Sequence, residues 1–356
     1  MIRWRRGRVA AIRREWRGAT ELDVTAPGGL MFRALAYPHL VGQPKPGDDV
    51  LLSVGALELG LGTGGYALVV AVPSRLPEDV PAAGHMVKAR YTPLQTIVDG
   101  AEERHPELAT ATSVDGMPVV VADLHSAVPA VVAGILKDRP AARIAYVMTD
   151  GGALPMWFSR TVDGLQSAGW LTGTVTVGQA FGGDLECVTI HSGLLAARHV
   201  LGADLAVVAQ GPGNLGTGSV WGFSGVACGE AINATAVLNG RPVAALRVSS
   251  EDARDRHRGL SHHSLTAYGK VALARAEVAL PDIPTEFWDG VAEQARELSE
   301  RHTVIRVPVD GLDAALRACP VALSTMGRGL DEDYPAFLAA ACAGRVAAAA
   351  IPSAAM

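Results

Sequence analysis

Three histidines and three arginines fall within ten residues of the chain, at 254–263, and the histidines are His257, His262 and His263. Because imidazole titrates near neutral pH and binds transition metals, this segment predicts proton transfer or metal ligation. Adjacent side chains diverge on a strand and on a helix, so we expect one of His262 and His263 to point into a cleft and the other to pack. A solvated basic loop is the alternative, as are arginines that clamp a phosphate or carboxylate.

Further ionisable residues follow three apolar runs that have the character of strands. Asp123 and His125 come after the first run, Asp150 after the second, and Asp184 ends the loop after the third. Zinc accepts histidine together with a carboxylate, so Asp123, His125 and Asp184 could join one of the three histidines in a divalent metal site. The two aspartates nearest their strands could instead cap helices, and His125 could be a supporting residue. Linear spacing does not decide between these, and the metal stays open.

A glycine-rich segment at 211–218 follows a fourth apolar run and matches the G-x-G-x-x-G pattern. With a helix expected directly after it, its amides predict binding of a cofactor, a phosphate or a carboxylate. The residues expected to do so are Gly211, Gly213, Asn214, Gly216, Thr217 and Gly218. Pro212 inside the motif, and the lack of an acidic residue after a next strand, count against a dinucleotide site. A structural tight turn is the other alternative.

The elements that must position these residues change character along the chain. Short strands are predicted at 8–13, 21–25, 31–36, 49–54 and 66–72, and they are typical of a small β-barrel. Strands at 119–122, 144–148, 173–177, 204–209, 243–248, 304–309 and 321–325 alternate with helices at 129–136, 159–168, 184–201, 219–238, 286–301 and 334–343. Continuous apolar strands alternating with helices indicate an α/β fold, with a mostly parallel sheet and helices on both faces.

The resulting organisation is a small β-barrel-like domain at 1–75, a connecting segment at 76–116 and an α/β domain at 117–350. In an open parallel sheet, ligands bind beyond the carboxyl ends of the strands. The turns after five of the predicted strands are polar, ionisable or glycine-rich. We therefore expect a cleft for a small anionic or polar ligand at this edge.

Composition limits the function classes. The 356 residues are 49% hydrophobic and 19% charged, with a net charge of −5, which excludes a broadly basic nucleic-acid binder and a largely disordered chain. Seven arginines in the first 17 residues could form an anionic-partner patch, but a solvated strand face is the simpler interpretation. The alanine-rich tract from Ala336 onward predicts a packed helix, not a membrane span. Four scattered cysteines favour reduced thiols and a cytoplasmic location.

Several phrases give the chain a resemblance to a known family. They are YTPLQ at 91–95, MTDGGALP at 148–155, QGPG at 210–213, SHHSLT at 261–266 and STMGR at 324–328. In these the chain resembles an uncharacterised bacterial family, mainly actinobacterial, that is classed as a domain of unknown function. The resemblance covers nearly the whole chain, and it implies no activity, substrate or cofactor.

Three functions stay open on these residues. The first is a hydrolase or group-transfer enzyme for a small anionic or polar substrate, with Asp123 or Asp150 and a histidine of 257–263 as acid, base or metal ligands. The second is a non-catalytic ligand-binding or assembly protein, which could form a homo-oligomer. The third is a nucleotide-dependent oxidoreductase, which suits the glycine-rich segment but not the missing acidic residue.

Overall fold

The computed structural model of the chain describes residues 2–79 and 84–351, so part of the predicted connecting segment and the last five residues lie outside it. The chain forms two compact units. The first runs to Val98 and also includes Trp157–Asp163. The second comprises Asp99–Met156 and the chain from Gly164 onward.

Five strands of the first unit close into a barrel, in the order β1-β2-β3-β5-β4. They are β1 Trp4–Trp16, β2 Ala19–Thr25, β3 Met31–Ala36, β4 Asp49–Ser53 and β5 Ala67–Ala71. Alternate apolar residues, among them Leu22, Val24 and Leu52, fill the interior. Two short helices, α1 Pro38–Val41 and α2 Gly55–Glu58, lie between barrel strands, and β6 Met86–Lys88 pairs with β7 Thr96–Val98. The predicted barrel is confirmed.

Acidic partners pair with several of the N-terminal arginines. Arg3 and Arg5 contact Glu58 at 2.9 and 2.6 Å, and Arg8 contacts Asp49 at 3.0 Å. Such exposed pairs add little stability, but they compensate charge locally. The outer face of β1 is therefore not a continuous run of uncompensated positive charge.

The second unit is built on eight parallel strands in the order β11-β10-β9-β12-β8-β13-β16-β17. All strands of this unit, in chain order, are β8 Pro118–Ala122, β9 Ile144–Thr149, β10 Gly173–Thr176, β11 Leu185–Glu186, β12 Leu205–Gln210, β13 Arg241–Ala244, β14 Val248–Ser249, β15 Gly259–Leu260, β16 Glu277–Pro281, β17 Thr303–Val307, β18 Ser324–Thr325 and β19 Arg328–Gly329. The pairs β14–β15 and β18–β19 are small antiparallel hairpins. Every residue of β8 and β12 is buried, as expected for strands covered on both faces.

Helices cover both faces of this sheet, which confirms the predicted α/β class. The remaining helices are α3 Ala101–Arg104, α4 Val128–Asp138, α5 Arg160–Ser167, α6 Ile190–His199, α7 Ala227–Val237, α8 His262–Thr266, α9 Glu286–Gln294, α10 Leu312–Arg317 and α11 Tyr334–Ala350. On one face α4 packs against α10 and α11, while α6 and α7 pack together on the other. Gly134 and Gly344 permit the close approach of α4 and α11, because a Cβ at either would lie 2.1 Å from a backbone oxygen of the other helix.

Three predicted helices have different bounds. The helix expected at 184–201 begins only at Ile190, because Thr189 accepts a hydrogen bond from the amide of Ser192 and caps it there. The helix expected at 219–238 begins at Ala227, because side chains before it hydrogen-bond to nearby backbone instead. The helix expected at 286–301 becomes a 3-10 helix from Ala295. A strand at Glu277–Pro281 was not predicted.

The alanine-rich tract forms α11 and is largely buried, as predicted, up to Ala350. Its last residues, 352–356, lie outside the described residues. Throughout residues 2–79 and 84–351, no helix has the length and apolar character needed to cross a membrane.

Candidate functional site

The candidate site lies at the carboxyl ends of three neighbouring strands, β12, β8 and β13. Gln210 is the last residue of β12, Asp123 follows β8, and Arg247 follows β13. The side-chain amide of Gln210 donates to the backbone oxygen of Asp123 at 2.6 Å. The helices after β8 and β12, α4 and α7, lie on opposite faces of the sheet. The strand order therefore opens a crevice here, the position where α/β sheets bind ligands.

A buried charge pair occupies the floor of this crevice. Asp123 Oδ2 lies 3.6 Å from Arg247 Nη1 and 3.7 Å from His263 Nδ1, and the Asp123 and Arg247 side chains are 5% and 9% exposed. Burial raises the pKa of Asp123, but contact with His263 and the charge of Arg247 outweigh it and hold that pKa below its usual value. Among the described atoms, Asp123 Oδ2 has no hydrogen-bond partner. A buried carboxylate oxygen without a partner is costly, and it calls for a functional explanation.

The three predicted histidines come together beside this pair. Their ring centroids are 5.0 Å apart for His257 and His262, 4.8 Å for His257 and His263, and 4.5 Å for His262 and His263. One ring nitrogen from each lies within 4.8 Å of the others. His262 and His263 begin a short helix, and both rings lie near His257, while the buried ring of His263 also packs against Phe223. We call His257, His262 and His263 the histidine trio.

Local structure explains why the trio forms. The hairpin β14–β15 returns the chain to the sheet edge, and a 3-10 helix within it, Asp255–His257, carries the first histidine. Ser261 then caps α8: its Oγ accepts from the amide of His263 at 3.2 Å and shares a 2.7 Å hydrogen bond with His257 Nδ1. Phe223 stacks on the ring of His263, with centroids 3.6 Å apart. Ser261 thus fixes the ring of His257, and Phe223 fixes the ring of His263.

The surroundings of two of these histidines, His257 and His262, favour neutral imidazoles. Burial, followed by the charges of Arg247 and Arg254, lowers the pKa of His257 to about 3. Burial, followed by His263 and nearby arginines, also lowers the pKa of His262. A neutral imidazole can accept a proton or bind a metal ion, whereas an imidazolium can do neither.

A second polar group, which the sequence did not single out, adjoins the charge pair. Asp333 is buried; its Oδ2 accepts from Ser249 Oγ at 2.7 Å and from Arg328 Nε at 3.0 Å. Asp252 pairs with Arg254 at 2.8 Å. Between this group and Asp123 lies a cavity of about 30 Å³, room for one or two water molecules. The polar sequence after β13 was the available signal, but the contact between residues 249 and 333 was not visible in it.

Other predicted site residues have structural partners. His125 Nδ1 lies 3.0 Å from the hydroxyl of Tyr146, and burial lowers the pKa of this histidine to about 4. Asp150 accepts from the amide of Gln179 at 2.8 Å. Asp184 accepts at 2.8 Å from both the amide and the hydroxyl of Thr174, near the start of β10. Within the described part of the chain, the histidine trio is the group of possible metal ligands that comes together. The set with Asp123, His125 and Asp184 does not assemble.

The glycine-rich segment belongs to an irregular loop at 211–223, which we call the tongue, and does not lead directly into a helix, which corrects that expectation. The amide of Thr217 donates to Gly222 O at 2.8 Å, and the amide of Leu215 donates to Ser224 Oγ at 3.0 Å. The side chain of Asn214 accepts from Gln210 and Ser224. Gly213 and Gly218 have φ of +94° and +83°, and a Cβ at Gly211 would lie 2.4 Å from Ala153 O, while a Cβ at Gly216 would make only ordinary contacts, the nearest at 3.7 Å. Conformation and packing therefore account for Gly211, Gly213 and Gly218.

Comparisons with known proteins agree with the resemblance noted from the sequence. No curated protein and no solved structure matches the chain. The model of one family, described as "Protein of unknown function (DUF3866)", matches residues 33–344, nearly the whole chain. The chain therefore belongs to the DUF3866 family of proteins of unknown function.

Proposed function

We propose that this protein is an enzyme, a hydrolase or group-transfer enzyme, that acts on a small anionic or polar substrate at the carboxyl ends of β12, β8 and β13. The observation that carries the proposal is the histidine trio beside the buried Asp123–Arg247 pair. Clustered titratable groups with shifted pKa values at a sheet crevice are typical of active sites. Structural packing alone would not require three histidines next to an unpartnered carboxylate oxygen.

The residues divide into two roles in this proposal. His257 and His262, whose pKa values are lowered by burial and nearby arginines, present neutral rings that hold the reacting group of the substrate in place. Asp123 and Arg247 position His263 and are too buried to meet a substrate directly. Arg256 is exposed on the 3-10 helix that ends at His257, where it would attract an anionic substrate.

Asp150 and the glycine-rich tongue support the site and are not assigned to its chemistry. Asp150 holds the loop after β10, and Gly152 packs so closely on the tongue that its Cβ would lie 2.1 Å from Gly211 O. The tongue lacks a helix directly behind its glycines, which removes the main support for a nucleotide-dependent oxidoreductase. A cytoplasmic location stays a prediction from the cysteine pattern.

The test is a hydrolysis screen with the full chain against small chromogenic carboxylic and phosphoric esters. Loss of a group that positions the reacting atoms can cost about a hundredfold in rate, so His257→Ala is expected to lose about that much of any activity found. The matched control is His191→Ala, an exposed histidine on α6. Equal activity in both variants, with both folded, would refute the assignment of the site.

One observation favours assembly as a second candidate function. Leu215, Val220 and Trp221 on the tongue are 71%, 46% and 58% exposed. Exposed apolar residues grouped on one segment are typical of contact surfaces. If the protein forms a homo-oligomer through the tongue, Trp221→Ser will lower its mass in light scattering; an unchanged mass would remove this candidate.

A further inference from the structure

We propose that the histidine trio binds one divalent transition metal ion of the zinc type, through one ring nitrogen each of His257, His262 and His263. Three protein ligands leave a fourth position for water or substrate, the arrangement of catalytic zinc sites. This inference deepens the proposed function and rests on it for its catalytic meaning, while the binding itself is measurable without any substrate.

The ligand atoms follow from the hydrogen bonds. His262 Nε2 is buried and, within residues 2–79 and 84–351, has no hydrogen-bond partner, so it is the ligand atom of that residue. His257 Nδ1 is engaged by Ser261 Oγ, which leaves Nε2 as its ligand atom. An outer hydrogen bond of this kind fixes the tautomer and the ring orientation of a metal-binding histidine.

His263 explains the unpartnered oxygen of Asp123. Arg247 Nη1 donates to His263 Nδ1 at 3.1 Å, which leaves Nε2 as the ligand atom of this residue. A ring bound through Nε2 would carry a proton on Nδ1, and a small shift of the Arg247 guanidinium would let Nδ1 donate toward Asp123 Oδ2, now 3.7 Å away. A carboxylate behind a metal-binding histidine is the usual outer partner, and Asp123 supplies it.

The spacing requires a modest contraction. Nitrogens bound to one tetrahedral zinc ion at 2.0–2.1 Å are about 3.3 Å apart, whereas the trio nitrogens lie within 4.8 Å of one another. Two of the three histidines belong to one short helix, and the third lies on a 3-10 helix inside a hairpin. A contraction of up to about 1.5 Å would bring the nitrogens to this spacing.

Arginine charges near the trio oppose a cation in part, and acidic partners offset two of them. Arg247 lies beside Asp123, and Arg254 makes a two-point contact with Asp252. Arg256 is exposed, so solvent and salt screen its charge. The remaining positive charge at the rim would instead favour an anionic substrate above the metal.

Binding is tested by adding zinc to the full chain, stripped with chelator and dialysed, and following it by isothermal titration calorimetry. We expect one zinc ion per chain, and at least tenfold weaker binding by His262→Ala than by wild type or the control His191→Ala. Cobalt added in place of zinc should give visible absorption bands typical of a four-coordinate site. If His262→Ala does not fold, His257→Asn with its circular dichroism spectrum takes its place.

The outcomes separate this proposal from the enzyme proposal. Zinc binding to wild type no tighter than to a folded trio variant overturns the metal site, and the trio is then a packed cluster of rings. Hydrolysis that survives complete removal of zinc overturns the catalytic part of the metal, not its binding, and leaves the enzyme proposal standing. Zinc bound at the trio, with no activity in the ester screen, supports the metal site and counts against the proposed hydrolase.

Discussion

Asp123 and Arg247 should stabilise the second unit as a coupled pair, and a double-mutant cycle measures this. Coulomb's law with an effective dielectric constant of ~20 gives an attraction of about 5 kcal/mol for charges at the observed 3.6 Å. Removing one partner also leaves the other charge buried, so Asp123→Asn and Arg247→Met should each lower the free energy of unfolding by about 3–5 kcal/mol. The double variant should recover about 2 kcal/mol or more of the summed loss.

The assay is urea unfolding followed by circular dichroism at pH 7, with the m-value checked for each variant. The matched control is the same cycle on Arg8 and Asp49, which are 3.0 Å apart but 68% and 63% exposed. Exposed pairs couple weakly because water and salt screen them. A coupling for Asp123 and Arg247 no larger than for this exposed pair would refute the view that the crevice holds a desolvated charge pair.

Two further predictions concern packing and pH. Gly344→Ala should destabilise the protein by about 1–3 kcal/mol through overpacking, because its Cβ would lie 2.1 Å from Val131 O. The control Gly290→Ala has open space around its Cβ position and should not destabilise the protein. Equal melting temperatures of the two variants would contradict this packing. The pKa of His125 is lowered from 6.5 to about 4, so as the pH falls the unfolded chain binds a proton on this residue before the folded chain does. The free energy of unfolding should therefore keep its full value above pH ~6.5 and fall by up to about 3 kcal/mol toward pH ~4. His125→Gln should flatten this part of the pH profile of unfolding, and a profile identical to wild type would be the contrary result.

Much of the fold was predictable because it depends on local apolar patterns. The runs that became β8 and β12 are continuous and apolar, and such runs indicate strands covered on both faces. Glu277–Pro281 was missed because a short run that ends in proline resembles a loop. The start of α7 was misplaced because serine and glycine before it form side-chain and backbone contacts that no helical period reveals.

The candidate site was predictable only in part. The histidine trio was visible because its members are close in sequence, whereas Asp333 reaches Ser249 across 84 positions of the chain. Arg247 was missed because an arginine inside an apolar stretch gives no sign of its partner. Asp184 was wrongly grouped with the histidines because its place in the loop after a predicted strand does not fix where that loop turns back. Its side chain contacts Thr174, near the start of β10.

The most direct test of the central claim is an anomalous diffraction measurement at the zinc absorption edge, on crystals of the full chain grown with zinc. The account predicts one strong peak at about 2.0–2.1 Å from a nitrogen of each of His257, His262 and His263. Zinc found only at exposed histidines such as His191, with no peak at the trio, would contradict it.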